Sequence, residues 1–279
     1  MQVGYSDNPI FPAPPEPFAL IVGSAAQVAP PAVMEQALRQ MGLRPEQLAP
    51  GRPATAGGNP LVDAPLFRIR FASLSALVGR ASGEALDLAD PRDPSISLLA
   101  ATLPGDWRAG GCCWALILES EGATDGAALV ARIREFFKMF VLLVDLFDAS
   151  HIFWSPARLW SDAPQLRASV AEMLASGMPP VLHLVAYRHR ETGIGAVVRT
   201  RGLALFGGQE IEARMPRGWT VAEMIKRLAR LSLDIISHGP VLEQRRVRGL
   251  GPGEWASLSP SSDGPSERST LLVEFGSDL

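Results

Sequence analysis

Hydrophobic positions along the chain fall into short runs of two different periods, and their alternation predicts an α+β protein. "FALIVGS" from Phe18 is apolar on both faces, the pattern of a central strand. Pro30 and Pro31 then open a helix whose Val33, Met34, Ala37, Leu38 and Met41 share one stripe before Gly42 stops it. The Pro/Gly-rich span 44–65 reads as a long loop. "FRIRFASLSALVG" (67–79) reads as one strand, with Phe67, Ile69 and Phe71 on one side and Arg68 and Arg70 on the other. A second loop, 84–108, leads to the buried-strand run "CCWALILES" (112–120). Asp125 then starts a helix carrying Leu129, Ile133, Phe136, Phe137, Phe140, Val141 and Val144, the largest apolar element, expected to lie on the sheet.

"HIFWS" (151–155) is a further short strand. Ser161 or Asp162 caps the next helix, with Pro164 in its first turn, Leu166, Val170, Met173 and Leu174 on one face, and Gly177 as its stop. "PVLHLVAYR" (180–188) and the segment 199–214 supply two or three strands. Thr220 and Glu223 form a capping-box pattern for a helix with Val221, Met224, Ile225, Leu228, Leu231 and Ile235 inward, ended by Gly239 and Pro240. "STLLVEF" (269–275) is a last strand. From Phe18 to Ser155 the order is strand, helix, strand, strand, helix, strand, the split β-α-β of ferredoxin-like folds, and the second half nearly repeats it. The expectation is therefore an α+β fold, helices packed on a mixed or antiparallel sheet, with two ferredoxin-like βαββαβ halves pseudo-duplicated about residue 150. A proline-rich arm (1–17) precedes a single α+β domain (18–279).

Composition narrows the class without naming an activity. With 279 residues, 47% of them hydrophobic, the chain buries a core of ordinary size and needs no disulfide staple. The formal net charge of -3 argues against a nucleic-acid footprint. Cys112 and Cys113 are adjacent in a strand, point to opposite faces and are expected as reduced core thiols. The most apolar stretch, 136–147, is short and carries Lys138 and Asp145, so neither a membrane span nor a membrane partner is expected, and a cytoplasmic location is the default reading.

With the elements placed, Gly202-Leu-Ala-Leu-Phe206-Gly207-Gly-Gln-Glu210-Ile211-Glu212 resembles the G-x-x-x-F-G-x-x-E-I-E signature of a bacterial family of domains of unknown function. The likeness extends to 179–185, to the Phe-Trp strand and to the opening strand, covering 18–238. It implies a shared fold, a bacterial origin and an association with self-protection or secretion-associated gene clusters. It transfers no catalytic residue.

The same segment, "RTRGLALFGGQEIEARMP" (199–216), carries the candidate chemistry. A three-residue loop at Gly207, Gly208 and Gln209 sets Leu205 against Ile211 and Leu203 against Ala213, and asks Gly208 for a left-handed backbone. The other face then holds Gly202, Ala204 and Phe206 beside Glu210, Glu212 and Arg214. Three readings stand open for this face. It is a packed, solvated hairpin in which Glu212 and Arg214 make ion contacts, or a binding surface built from Gly202, Phe206, Gly207, Gly208, Glu210, Glu212 and Arg214, or an acid/base pair of Glu210 and Glu212 working with His183. His183 itself reads first as a hydrogen-bonded strand histidine. The four histidines show no metal-ligand spacing, "TGIGAVV" (192–198) is a turn into a strand, and "QRRVRG" (244–249) is a solvated basic loop, so neither metal nor cofactor is implied. The function expected is a non-enzymatic protein-interaction module with a protein partner, the alternative a hydrolase-like enzyme using Glu210 and Glu212.

Overall fold

The computed structural model describes residues 17–23, 30–48, 61–72, 74–100, 102–109, 112–119, 126–193, 195–261 and 269–278, with backbone alone at 64–65 and 126–134. The proline-rich arm up to residue 16, the middle of the 44–65 span, Asp125 and the side chains of Leu129 and Ile133 lie outside the described residues. In chain order the elements are β1 (Phe18–Gly23), α1 (Pro31–Gln40), β2 (Arg44–Leu48), β3 (Val62–Phe71), β4 (Leu74–Ala81), α2 (Gly83–Leu88) and β5 (Ser97–Leu98). There follow β6 (Cys113–Leu118), α3 (Gly126–Leu146), β7 (Ala149–Trp154), β8 (Leu159–Asp162), α4 (Ala163–Ser176), α5 (Val181–Leu184), β9 (Ala186–Thr192) and β10 (Gly195–Arg201). The chain continues through α6 (Ala204–Gly207), β11 (Gln209–Arg214), α7 (Val221–His238), β12 (Arg245–Arg248), β13 (Glu254–Ser261) and β14 (Ser269–Ser277).

Two mixed sheets result, so the protein is α+β. The first has the order β2-β3-β4-β6-β1-β7-β8-β5, the second β12-β13-β14-β11-β10-β9. The sheets do not divide the chain at residue 150, because β7 and β8 complete the first one. β1 is central in it, antiparallel to both β6 and β7, and every residue of β1 is buried, as its two-sided apolar run requires. On one face Ile21, Trp114, Leu116 and Ile152 meet Phe137, Phe140 and Leu143 of α3 and Leu166 and Val170 of α4. The same apolar cluster continues through Met224, Leu228 and Ile235 of α7 to Val198, Ile211 and Leu271 of the second sheet. On the opposite face of the first sheet Leu20, Ile117, Phe153 and Trp160 pack against Ala85 of α2 and Trp107. Cys112 and Cys113 are both buried thiols, and burial, with Cys112 adding to it, pushes the Cys113 thiol up to about 12.

Strong local signals hold. The α4 cap is Asp162, whose carboxylate accepts from the Gln165 amide at 2.8 Å, and Gly177 closes the helix with a φ of 81°. The Thr220/Glu223 capping box of α7 is complete. Other expectations need correction. The run 67–79 is a hairpin of β3 and β4, because Ala72 takes a φ of 50° and reverses the chain. The loop 44–65 begins with β2, an edge strand in which Pro45 withholds no needed ladder donor. The loop 84–108 contains α2, started by the Ser82 hydroxyl accepting from Ala85, and the two-residue β5. Residues 181–184 form a helical turn, so His183 stands on α5 and β9 begins only at Ala186. The basic run at 244–249 is the edge strand β12, paired with β13. Within α1 Met34 and Leu38 are buried, whereas Val33 is 53% exposed. Among the described residues no helix is long and apolar enough to cross a membrane.

Candidate functional site

The segment 199–214 is not a three-residue hairpin. β10 pairs β11 with Val197 opposite Arg214, Val198 opposite Ala213 and Arg199 opposite Glu212, and residues 202–208 form the connection, including the single turn α6. Two features break the strand early. Gly202 has a φ of 96°, and a side chain there would begin 2.8 Å from the Leu184 carbonyl and 3.0 Å from Ala157. Glu210 then turns inward: its carboxylate accepts the Gly202 amide at 2.8 Å, the Ala204 amide at 3.1 Å and the Thr200 hydroxyl at 2.7 Å. Thr200 in turn accepts the Ile211 amide at 2.7 Å. Burial pushes the Glu210 carboxyl up, against the opposing pull of Thr200 and the amides of Ala204, Gly202 and Leu203. Leu203 is buried by this turn and Leu205 is left 40% exposed. Phe206 and Gly207 are buried, with Gly207 against Ile235 of α7, and Gly208 takes the left-handed backbone as the closing residue of α6.

Glu212, on the outward face, pairs with Arg199 and not with Arg214, which is exposed. His183 lies elsewhere: its Nε2 is 3.3 Å from the Ser169 hydroxyl, and burial pushes its pKa down with Asp162 opposing. Glu210, Glu212 and His183 therefore each have separate partners, and no contact among the described residues joins the histidine to either carboxylate.

A second feature of the region escaped the sequence reading. The alternation of strand side chains puts Arg188 and Arg190 of β9 and Arg199 and Arg201 of β10 on the one face of the second sheet that turns away from α7. Arg214 of β11, Arg246 and Arg248 of β12 and Leu272 of β14 share it. Of these, Arg190, Arg199, Arg214, Arg246, Arg248 and Leu272 are exposed, and Glu212, Glu274 and Asp278 are carboxylates set among them, Asp278 pairing with Arg246. Two R-x-R triplets, 188–190 and 199–201, were the available signal, since a spacing of two on a strand means one shared face.

At one margin of this face the two sheets meet. Arg188 donates to the carbonyls of Pro94 at 2.6 Å and Ser95 at 2.7 Å. Arg158, in the β7–β8 turn, donates to Asp93 at 2.5 Å, and the other Asp93 oxygen accepts the Ser95 amide at 2.7 Å. Burial raises the Asp93 carboxyl, but the Ser95 and Arg158 donors outweigh it and hold it below its usual range. Arg201 stands beside this cluster, half-buried. Its guanidinium is pushed down to about 10 by burial and then by the like charges of Arg158 and Arg188.

What the fold and site define is an α+β protein with one arginine-rich sheet face that no described element covers, bordered by an intersheet seam. The chain matches no family model, no curated protein and no solved structure.

Proposed function

We propose that the protein is a non-enzymatic binding module that docks an acidic protein surface on the open face of its second sheet. The observation that carries this reading is the exposed set Arg190, Arg199, Arg214, Arg246 and Arg248 around the 41% exposed Leu272, on a chain whose net charge is -3. Segregating cations on one face of an acidic protein creates a local field that attracts and orients an acidic partner, while a central apolar side chain supplies area to desolvate. A protein partner is favoured over a nucleic acid because, among the described residues, the face presents no exposed aromatic ring as a stacking platform. Its aromatic residue, Trp255, is half-buried beneath Arg246, whose guanidinium carbon lies 4.1 Å from the ring. A hydrolase reading draws no support from Glu210, whose carboxylate is occupied in holding its own turn. Membership of the bacterial family suggested by Gly202 to Glu212, a bacterial origin and a cytoplasmic setting belong to the same proposal; the support is that Gly202, Gly207 and Glu210 of the signature have a steric or hydrogen-bonding reason.

The test is capture from a bacterial lysate by the wild-type chain and by a chain with Arg190→Glu, Arg214→Glu and Arg248→Glu. The expected result is an acidic protein retained by the first, released by moderate salt and absent from the second. Retention by both chains, or enrichment of nucleic acid in place of protein, overturns the reading.

A further inference from the structure

The seam between the sheets holds more than a structural ion pair. Gly202 has no side chain, and the position where one would start is 3.0 Å from Ala157, so the backbone at 202 and the β7–β8 turn are in direct contact. The residues that follow and precede this contact are Arg158 and Arg201. Arg188 completes the group from the neighbouring strand, one diagonal step from Arg201 in a register that sets Arg188 opposite Arg199 and Arg201 opposite Ala186. Arg158 and Arg188 both grip the segment 93–95. Two guanidinium groups, one from each sheet, thus hold one short stretch of backbone, with Arg201 alongside.

The carboxylates nearby are already committed. Asp93 takes Arg158 and the Ser95 amide, and Glu210 takes Thr200 and the amides of its own turn. Arg188 is satisfied by two carbonyls, which give hydrogen bonds but no charge. Arg201 is different. Among the described residues its guanidinium makes no hydrogen bond and no ion pair, although it is half-buried and near the like charges of Arg158 and Arg188, with Glu210 and Asp93 offsetting them only through space. A cation partly withdrawn from water without a direct ion pair is costly to hold, and its five donors remain to be used.

We infer that Arg201, with Arg188 and Arg158 behind it, is a receptor for a small oxyanion group, a phosphate or a carboxylate, bound at the seam between the two sheets. The guanidinium of Arg201 supplies the two parallel donors that such a group takes, and the neighbouring cations supply charge. The site goes beyond the docking of a protein partner and requires none.

The experiment uses the whole chain, purified in chloride buffer. Thermal unfolding and calorimetric titration are run with inorganic phosphate and, separately, malonate, each at ionic strength matched with sodium chloride. The expected result is a melting temperature that climbs with the logarithm of one oxyanion's concentration and not with chloride, and the anion that acts assigns phosphate or carboxylate. Arg201→Met is expected to bind at least about tenfold more weakly, and Arg201→Lys, which keeps the charge and loses the fork, to fall between the two. In chloride alone Arg201→Met should melt no lower than the wild type, because it removes an unpaired cation. No oxyanion effect on the wild type, an undiminished effect in Arg201→Met, or a marked loss of melting temperature for Arg201→Met in chloride overturns the inference.

Discussion

At Glu210 a single carboxylate decides the path of seven residues. It gathers the Thr200 hydroxyl and the amides of Gly202 and Ala204, groups that would otherwise sit near-buried without an acceptor. Glu210→Ala should therefore cost about 3 kcal/mol, and Glu210→Gln about 1 kcal/mol, measured as a lower urea midpoint at unchanged slope. Gly202→Ala carries both a positive φ and a contact at 2.8 Å, and should cost about 3 kcal/mol in the same assay. The pH dependence has two opposed parts. Glu254 is held below its ordinary value near 4.5 chiefly by hydrogen bonds from Arg227, so its contribution is complete above that value and is lost as pH falls through the lower folded one. Glu210 is raised by burial, so its contribution is complete below about 4.5 and is lost as pH rises through the higher folded one. Unfolding curves across this range should show the wild type losing stability on the alkaline side and Glu210→Gln keeping it, with both weakening in acid.

Elements ended by their own side chains are the ones whose limits can be set one by one. Thr220→Ala removes the cap of α7 and Asp162→Ala that of α4; each should lower stability by about 1 kcal/mol, read from chemical unfolding. These two helices were legible in the sequence because cap, stripe and stop all lie within one short window. So was β1, whose two-sided apolar run belongs to a strand buried on both faces. The edge strands β2 and β12 were not, since an edge strand with exposed arginines and a proline has the composition of a loop until a partner is found for it. The turns α5 and α6 were missed for a related reason: neither has a period long enough to register. The site was half legible. Glu210 and Gly202 stood out as residues, but their role depends on an inward rotation that pairing rules for a plain hairpin do not contain, and Arg158 reaches the seam only through the tertiary contact of Ala157 with Gly202.

Over the whole molecule, the continuous apolar core is joined by ion pairs between elements distant in sequence. Arg227 of α7 makes a two-pronged bond to Glu254 at the start of β13, at 2.6 and 2.7 Å, with little of either side chain in water. Arg227→Met leaves that carboxylate with only the two amides of Leu250 and Gly251, and should cost about 3 kcal/mol in calorimetric unfolding. The strand order of the first sheet has a further consequence, for the history of the chain on the ribosome. Both hydrogen-bonded neighbours of β1 come late: Cys113 is about 90 residues beyond Gly23, and Ala149 later still. At ~5–20 residues per second β1 spends several seconds apolar on both faces and without either of these partners, the interval in which a nascent protein of this design has most need of a chaperone.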